Sequence, residues 1–156
     1  MATQPRTRRA PRPAPVSTGT GILAYHRGRF ADAGRLTVPV LERGFQYGDG
    51  VYEQLRTYGR VPFRLLSHLA RLRRSAAALG IALDQPDATL AEMVTLGVRK
   101  VEADEVSVRI LLTRGTSQLS YALPAEVRPE LYAFFQPLPA RAAPTMEQGV
   151  RVNTLV

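Results

Sequence analysis

Apolar and polar residues alternate in short runs from about residue 21 onward, and turn residues separate the runs. An alternation with a period of two is typical of half-buried β-strands. Residues 22–26 and 29–31 are therefore predicted to form a hairpin around a two-residue turn. Residues 36–40 are predicted to extend this sheet, and Pro39 favours an edge strand or a strand end, because proline has no N–H to donate.

The same alternation predicts a second hairpin farther along the chain. Residues 50–58 and 61–65 flank a Gly-Arg turn and are rich in valine, tyrosine and threonine, which favour strands. Two later apolar runs with β-branched or aromatic residues, 106–113 and 131–136, are also predicted strands. A long loop, residues 114–129, joins them.

Two helices lie between the second hairpin and the last pair of strands. Over residues 65–79, apolar residues recur at intervals of three and four, which predicts one apolar helical face, with Ser67 as a possible N-cap and Gly80 at the C-terminal stop. The second helix is predicted to begin near a Ser/Thr-x-x-Glu capping box at Thr89 and to run to about Lys100. Strands and helices in this arrangement predict an α+β fold.

Composition divides the chain into four segments. Residues 1–20 are rich in proline and arginine and contain no acidic residue, so we expect a disordered basic tail. Residues 21–136 are expected to form one small domain. Residues 137–148 are rich in proline and alanine, which predicts a stiff linker, and residues 149–156 are expected to begin a truncated C-terminal domain.

Charge does not by itself predict a nucleic-acid partner. The 156-residue chain has 20 arginines and one lysine against 13 acidic residues, for a net charge of +8. Four of the arginines lie in the tail, and beyond residue 20 the 17 basic residues are interleaved with the 13 acidic ones. The chain has no long apolar run and no apolar region of a secretory signal. We therefore expect a soluble, cytoplasmic protein that binds neither nucleic acid nor a membrane.

The residue inventory excludes several kinds of site. Without cysteine there is no disulfide, thiolate metal site or cysteine nucleophile, and two isolated histidines give no metal-ligand spacing, so no metal is expected. One segment, residues 43–53, combines glycines that allow close backbone approach with tyrosines that carry hydroxyls. From the residues alone, a glycine-rich turn with packed tyrosines is favoured over a functional site.

The spacing of several motifs resembles a known family. The sequence is similar to the class IV (fold type IV) pyridoxal-phosphate enzymes, which include D-amino-acid and branched-chain aminotransferases and aminodeoxychorismate lyase. The resemblance covers most of residues 20–136 and implies the small N-terminal domain of that fold, an antiparallel sheet with two helices. Its motifs are residues 42–53, 62–65, 68–72, 79–81 and 111–115.

The resemblance implies roles for four residues of this sequence. Arg71, in a His-x-x-Arg motif, is expected to bind the phosphate of pyridoxal 5'-phosphate, since a guanidinium suits that bidentate contact. Tyr52 is expected to face the substrate. Tyr47 is expected to line the pocket of a neighbouring subunit, and Arg109 to lie near the substrate. Core positions for the two tyrosines, and a surface ion pair for Arg109, stay open as alternatives.

The implied function is transfer of an amino group between an amino acid, branched-chain-like or similar, and a 2-oxo acid, by a homodimer. The alternatives are an aminodeoxychorismate lyase and a non-catalytic dimerisation or interaction module. The family's Schiff-base lysine belongs to the second domain, and Lys100 matches no catalytic position, so no catalytic residue is expected here and the chain is predicted to be inactive alone. Leu119-Ser120-Tyr121 replaces the Arg-x-His of D-amino-acid aminotransferases, which leaves the enantiomer open.

Overall fold

The computed structural model describes residues 20–138, Gly149 and Val152. This part of the chain contains six strands, three α-helices and a 3₁₀ turn at Ala33–Arg35. In chain order the elements are β1 (Leu23–His26), β2 (Arg29–Asp32), α1 (Arg43–Tyr47), β3 (Gly50–Tyr58), β4 (Val61–Pro62), α2 (Leu65–Ala78), α3 (Asp87–Lys100), β5 (Val106–Thr113) and β6 (Glu130–Pro137). The predicted strand beginning at residue 149 and the predicted tail and linker lie almost entirely outside the described residues.

The six strands form one sheet in the order β2-β1-β6-β5-β3-β4, and every neighbouring pair is antiparallel. The long central pairs are β3 with β5 and β5 with β6. Helices α2 and α3 contact one face of this sheet. The α+β prediction, with an antiparallel sheet and two long helices, is confirmed.

The core lies between that face and the two long helices. Leu69 and Leu72 of α2 are fully buried, as are Val94 of α3 and Phe135 of β6. Gly97 allows α3 to approach the sheet closely, because a Cβ there would lie 2.2 Å from Cζ of Phe135. The three- and four-residue periodicity predicted for residues 65–79 thus corresponds to the buried face of α2.

Residues 36–40 do not form the predicted strand. They follow the 3₁₀ turn and have no regular structure before a turn at Val40 and Leu41. Pro39 has no N–H for a sheet hydrogen bond. Val38 and Val40 are exposed, so the alternating apolar residues of this segment do not pack against the core. β2 remains the edge of the sheet.

Both long helices begin before their predicted caps. Helix α2 starts at Leu65, directly after Arg64 with a φ of 49°, so Ser67 lies inside the first turn and β4 is shorter than the predicted strand. Helix α3 starts at Asp87, so Thr89 is a helical residue and does not cap. Neither helix has a side-chain hydrogen bond at its N-cap. Gly80, with a φ of 62°, follows α2 as predicted.

Candidate functional site

The face of the sheet opposite α2 and α3 carries two adjoining hollows. Successive strand residues point to opposite faces, so Leu55 packs in the core while Tyr52 and Arg109 point to this open face. The hollows have volumes of about 470 and 430 Å³ and share Tyr52, Leu111 and Phe134 as lining residues. Arg109 lines the first hollow, which makes that hollow cationic.

Tyr52 and Arg109 contact each other across β3 and β5. The Arg109 guanidinium carbon lies 4.9 Å from the Tyr52 ring centroid, and Nη2 of Arg109 donates to Oε1 of Gln54 at 3.1 Å. Tyr52 is 60% exposed, so it is not a core residue. No carboxylate of the described residues forms an ion pair with Arg109. The pair therefore presents a phenol and unused N–H donors to a ligand in the hollow.

Tyr47 lies elsewhere, at the end of α1. This helix was not predicted, because the glycines of the segment suggested a turn. Glu42 caps it by accepting a hydrogen bond from the Phe45 backbone N–H at 3.0 Å, and Gly48 ends it with a φ of 66°. The Tyr47 ring lies 4.7 Å from the Arg43 guanidinium carbon, and it lines neither hollow. One chain does not bring Tyr47 together with Tyr52.

A half-buried carboxylate, Asp49, fixes the segment between α1 and β3. Oδ2 of Asp49 accepts hydrogen bonds from Nε of Arg43 and Nε of Arg114, each at 2.8 Å. Arg114 also donates to the carbonyls of Leu79 and Gly80. Burial alone would raise the pKa of Asp49, but the hydrogen bonds from Arg114 and Arg43 outweigh burial and hold that pKa below its ordinary value. Four parts of the chain are joined at this point.

A second carboxylate, Glu53, is buried and engages α2. Its Oε1 accepts from Nε of Arg71 at 2.6 Å, and its Oε2 accepts from Nη2 of Arg71 at 2.5 Å and from Nδ1 of His68 at 2.8 Å. Burial alone would raise the pKa of Glu53, but the hydrogen bonds from Arg71 and His68 lower it below its ordinary value. The same contact raises the pKa of Arg71.

The donor set of Arg71 fits a phosphate. A guanidinium has five N–H donors, Glu53 engages two of them, and three remain. The side chain of Arg71 is 59% exposed, so these donors are accessible. Arg71 lines neither hollow, because α2 lies on the other side of β3 from Tyr52. Of the four predicted site residues, the described structure brings only Tyr52 and Arg109 into one hollow.

The two carboxylates and their buried partners Arg43 and Arg114 were not among the predicted site residues. Glu53 carried a signal, since it is a charged residue at a core-facing position of a strand, between Val51 and Leu55. Arg114 carried no such signal as a partner of Asp49, because the two residues are 65 positions apart in sequence. Its role depends on tertiary structure.

Residues 20–138 contain no group of three or more histidine, aspartate or glutamate side chains that is able to hold a metal ion. Within the same part of the chain, the helices are too short or too polar to span a lipid bilayer.

Comparison with known proteins gives a consistent result. The family model for class IV amino-transferases matches residues 50–156. A D-alanine aminotransferase of Bacillus licheniformis is 32% identical over 111 residues, which cover 71% of this chain and 39% of the relative. The chain thus spans about two fifths of the length of that curated relative.

Two solved structures are similar over the same part. The 4-amino-4-deoxychorismate lyase from Pseudomonas aeruginosa is 33% identical, with a TM-score of 0.66, over 83% of this chain and 45% of the lyase. The branched-chain aminotransferase from the thermophilic archaeon Thermoproteus uzoniensis, solved with norvaline, is 25% identical, with a TM-score of 0.67, over 75% of this chain and 41% of that protein.

Proposed function

The chain belongs to the class IV aminotransferase family, and we propose that it is the N-terminal part of a pyridoxal-phosphate enzyme that transfers an amino group between an amino acid and a 2-oxo acid. The observation that carries this proposal is the open sheet face, where Tyr52 and Arg109 line one hollow. Arg109 has no ion-pair partner among residues 20–138, and its cation is suited to the carboxylate that every amino acid and 2-oxo acid carries.

The rest of that hollow suits a substrate with an apolar side chain. Leu111 and Phe134 lie beside Tyr52 in both hollows and offer apolar surface next to the cation. An aliphatic side chain packed there would leave water while its carboxylate contacts Arg109. We therefore propose a branched-chain-like substrate.

Pyridoxal 5'-phosphate is the proposed cofactor, and Arg71 is its proposed phosphate ligand in this chain. The three N–H donors that Glu53 leaves free support this role. When bound, the cofactor supplies an electron sink for the bonds of the substrate Cα. The residues of this chain anchor the phosphate and orient the substrate, and neither task involves proton transfer.

We further propose that this chain alone is inactive. Lys100 is the only lysine of the sequence. It ends α3, and its Nζ lies 5.6 Å from the ring centroid of Phe30. Neither hollow includes it. The lysine that bonds to the cofactor is therefore proposed to belong to residues other than those of this chain.

A homodimer is the proposed assembly. Tyr47 lines neither of the two hollows, yet it is partly exposed and lies 5.7 Å, between ring centroids, from Tyr121, which is 93% exposed. This aromatic pair presents apolar surface that a second copy would cover. In such a dimer Tyr47 would line the pocket of the neighbouring subunit.

Aminodeoxychorismate lyase activity is the second candidate, because the similar lyase structure covers more of this chain than the aminotransferase structure does. The third candidate is a non-catalytic dimerisation module. Both alternatives are compatible with the same fold, so the reaction itself has to separate them.

The test starts from the DNA downstream of codon 156. The product of the complete reading frame is purified with pyridoxal phosphate and given amino acids of either hand together with 2-oxoglutarate. Glutamate formation supports the aminotransferase, and its loss in Arg109→Ala ties the activity to this hollow. Pyruvate release from aminodeoxychorismate without any 2-oxo acid would support the lyase. Absence of both activities would leave the interaction module.

A further inference from the structure

Glu53 is an unusual residue for its position. It lies in β3 between Val51 and Leu55, faces the core and is 3% exposed. Burying a carboxylate is unfavourable unless hydrogen bonds compensate it, and an apolar residue would serve packing at least as well. The contacts of Glu53 therefore point to a role outside folding.

Those contacts fix the orientation of one guanidinium. Arg71 donates through both Nε and Nη2 to the two oxygens of Glu53, which is the bidentate geometry that sets the plane of an arginine side chain. The two N–H groups of Nη1 are left on the outer edge, whereas Nη2 also lies 3.5 Å from Nδ1 of His68. An exposed arginine without such a partner would sample many rotamers instead.

His68 is fixed by the same carboxylate. Oε2 of Glu53 lies 2.8 Å from Nδ1 of His68. An ionised carboxylate only accepts hydrogen bonds, so Nδ1 of His68 carries a proton and donates it to Glu53. Glu53 thus fixes the orientation of both Arg71 and His68, which lie one helical turn apart on α2.

We propose that Glu53 is a positioning residue, which holds Arg71 so that its outer N–H edge receives the phosphate of the cofactor. This proposal rests on the proposed function, in which Arg71 is the phosphate ligand. A different role makes the opposite prediction: if Glu53 only neutralised Arg71, removing its charge would strengthen phosphate binding. The sign of the effect separates positioning from neutralisation.

The chain contains a matched control. Glu130 also accepts hydrogen bonds from a histidine, His26 at 2.8 Å, and from an arginine, Arg27, and it is 15% exposed. Glu130→Gln therefore disrupts the same kind of trio without touching Arg71. Glu53→Gln keeps the size of the side chain but replaces one acceptor by a donor, which faces the donors of Arg71 or His68.

Affinity for inorganic phosphate and for pyridoxal phosphate is measured on the 156-residue chain, by titration, for wild type, Glu53→Gln, Arg71→Ala, the double variant and Glu130→Gln. We expect Glu53→Gln to weaken binding about fivefold to tenfold, as loss of an oriented charge-assisted contact should. In the Arg71→Ala background the same change should alter affinity by less than about twofold, because Glu53 acts through Arg71. Glu130→Gln should leave affinity unchanged.

Equal or tighter binding by Glu53→Gln would overturn the proposal, as would an undiminished effect in the Arg71→Ala background. If Glu53→Gln does not fold, Arg71→Lys keeps the charge without the two-pronged contact, and wild-type affinity in that variant would overturn it equally.

NMR of the ligand-free chain distinguishes failure of positioning from failure of the proposed function. A proton on Nδ1 of His68 and a slowly exchanging Nε–H of Arg71, both lost in Glu53→Gln, support the orientation. If these signals are present but wild type binds no phosphate, the cofactor role of Arg71 fails and the phosphate part of the proposal with it. If the signals are absent, positioning by Glu53 is wrong whatever phosphate does.

Discussion

The guanidinium of Arg109 lies over the ring of Tyr52, with 4.9 Å between the guanidinium carbon and the ring centroid. The two residues belong to neighbouring antiparallel strands, where Arg109 is paired with Gln54, two positions along the strand from Tyr52. Such diagonal neighbours are within reach of long side chains on the same face. The contact orders both side chains without burying them, which supports the proposal that they contact a ligand.

Replacing Tyr52 should therefore separate binding from stability. Tyr52→Ala is expected to change the free energy of unfolding by less than about 0.5 kcal/mol, because the ring is mostly exposed. Phe135→Ala in the core should cost about 3–5 kcal/mol. Urea unfolding of both variants measures the difference.

The affinity for a branched-chain 2-oxo acid should depend on Tyr52 and not on another exposed tyrosine of the same strand. Tyr52→Ala should weaken it, while Tyr58→Ala, an equally exposed tyrosine of β3 that lines neither hollow, should not. Equal effects of the two variants would show that the hollow at Tyr52 is not the binding site.

Gly97→Ala should destabilise the protein although alanine favours helices. In an exposed helix this change stabilises by about 1 kcal/mol. Here the new Cβ would lie 2.2 Å from Cζ of Phe135, and overpacking of this kind costs about 1–3 kcal/mol. Thermal unfolding gives the sign. The penalty should shrink in a Phe135→Leu background, and an unchanged penalty there would mean that the ring is not what α3 meets.

The fold was predictable where the apolar residues of a sequence pattern pack against the core. Residues 50–58 alternate because one face of β3 packs on the helices, and residues 106–113 are an apolar run because most of β5 is buried. The structure confirms both strands with these bounds. At residues 36–40 the same alternation had no such cause. The five-residue helix α1 is too short for periodicity to indicate it, and its end depends on the left-handed conformation of Gly48.

The candidate site was predictable only in part. The motifs indicated Tyr52, Arg109 and Arg71, but not that Glu53 joins β3 to α2 through Arg71. That contact depends on how a helix crosses a strand, which local patterns do not encode. The exposure of Tyr52, which excludes a core role, likewise depends on the absence of a covering helix within the described residues.

The ion triad of Asp49, Arg43 and Arg114 should stabilise the fold at neutral pH. Asp49→Asn leaves Arg43 and Arg114 buried without a counter-charge, so the free energy of unfolding at neutral pH should fall by about 3–5 kcal/mol. Asp104→Asn, at an exposed position, is the control and should change it by less than about 0.5 kcal/mol. Urea unfolding at pH 7 measures both.

The pH dependence follows from the lowered pKa of Asp49. A carboxyl whose native pKa lies below its unfolded value of about 3.9 stabilises the fold above that value. This stabilisation is lost as the pH falls from about 4 through the native pKa. The difference in stability between wild type and Asp49→Asn should therefore narrow in that range. A difference that stays constant with pH would show that Asp49 does not titrate against the two arginines.

Lys100 should not react as a catalytic lysine. A lysine that serves the cofactor has to lie beside the phosphate and substrate sites, whereas Lys100 ends α3, contacts Phe30 and lines neither hollow. After incubation with pyridoxal phosphate and reduction with borohydride, peptide mass mapping should find no stoichiometric adduct at Lys100. The absorbance spectrum should match that of Lys100→Arg, the matched variant. A stoichiometric adduct confined to Lys100, absent in Lys100→Arg, would mean that this chain carries its own cofactor lysine. The proposal that this lysine lies outside the chain would then be wrong.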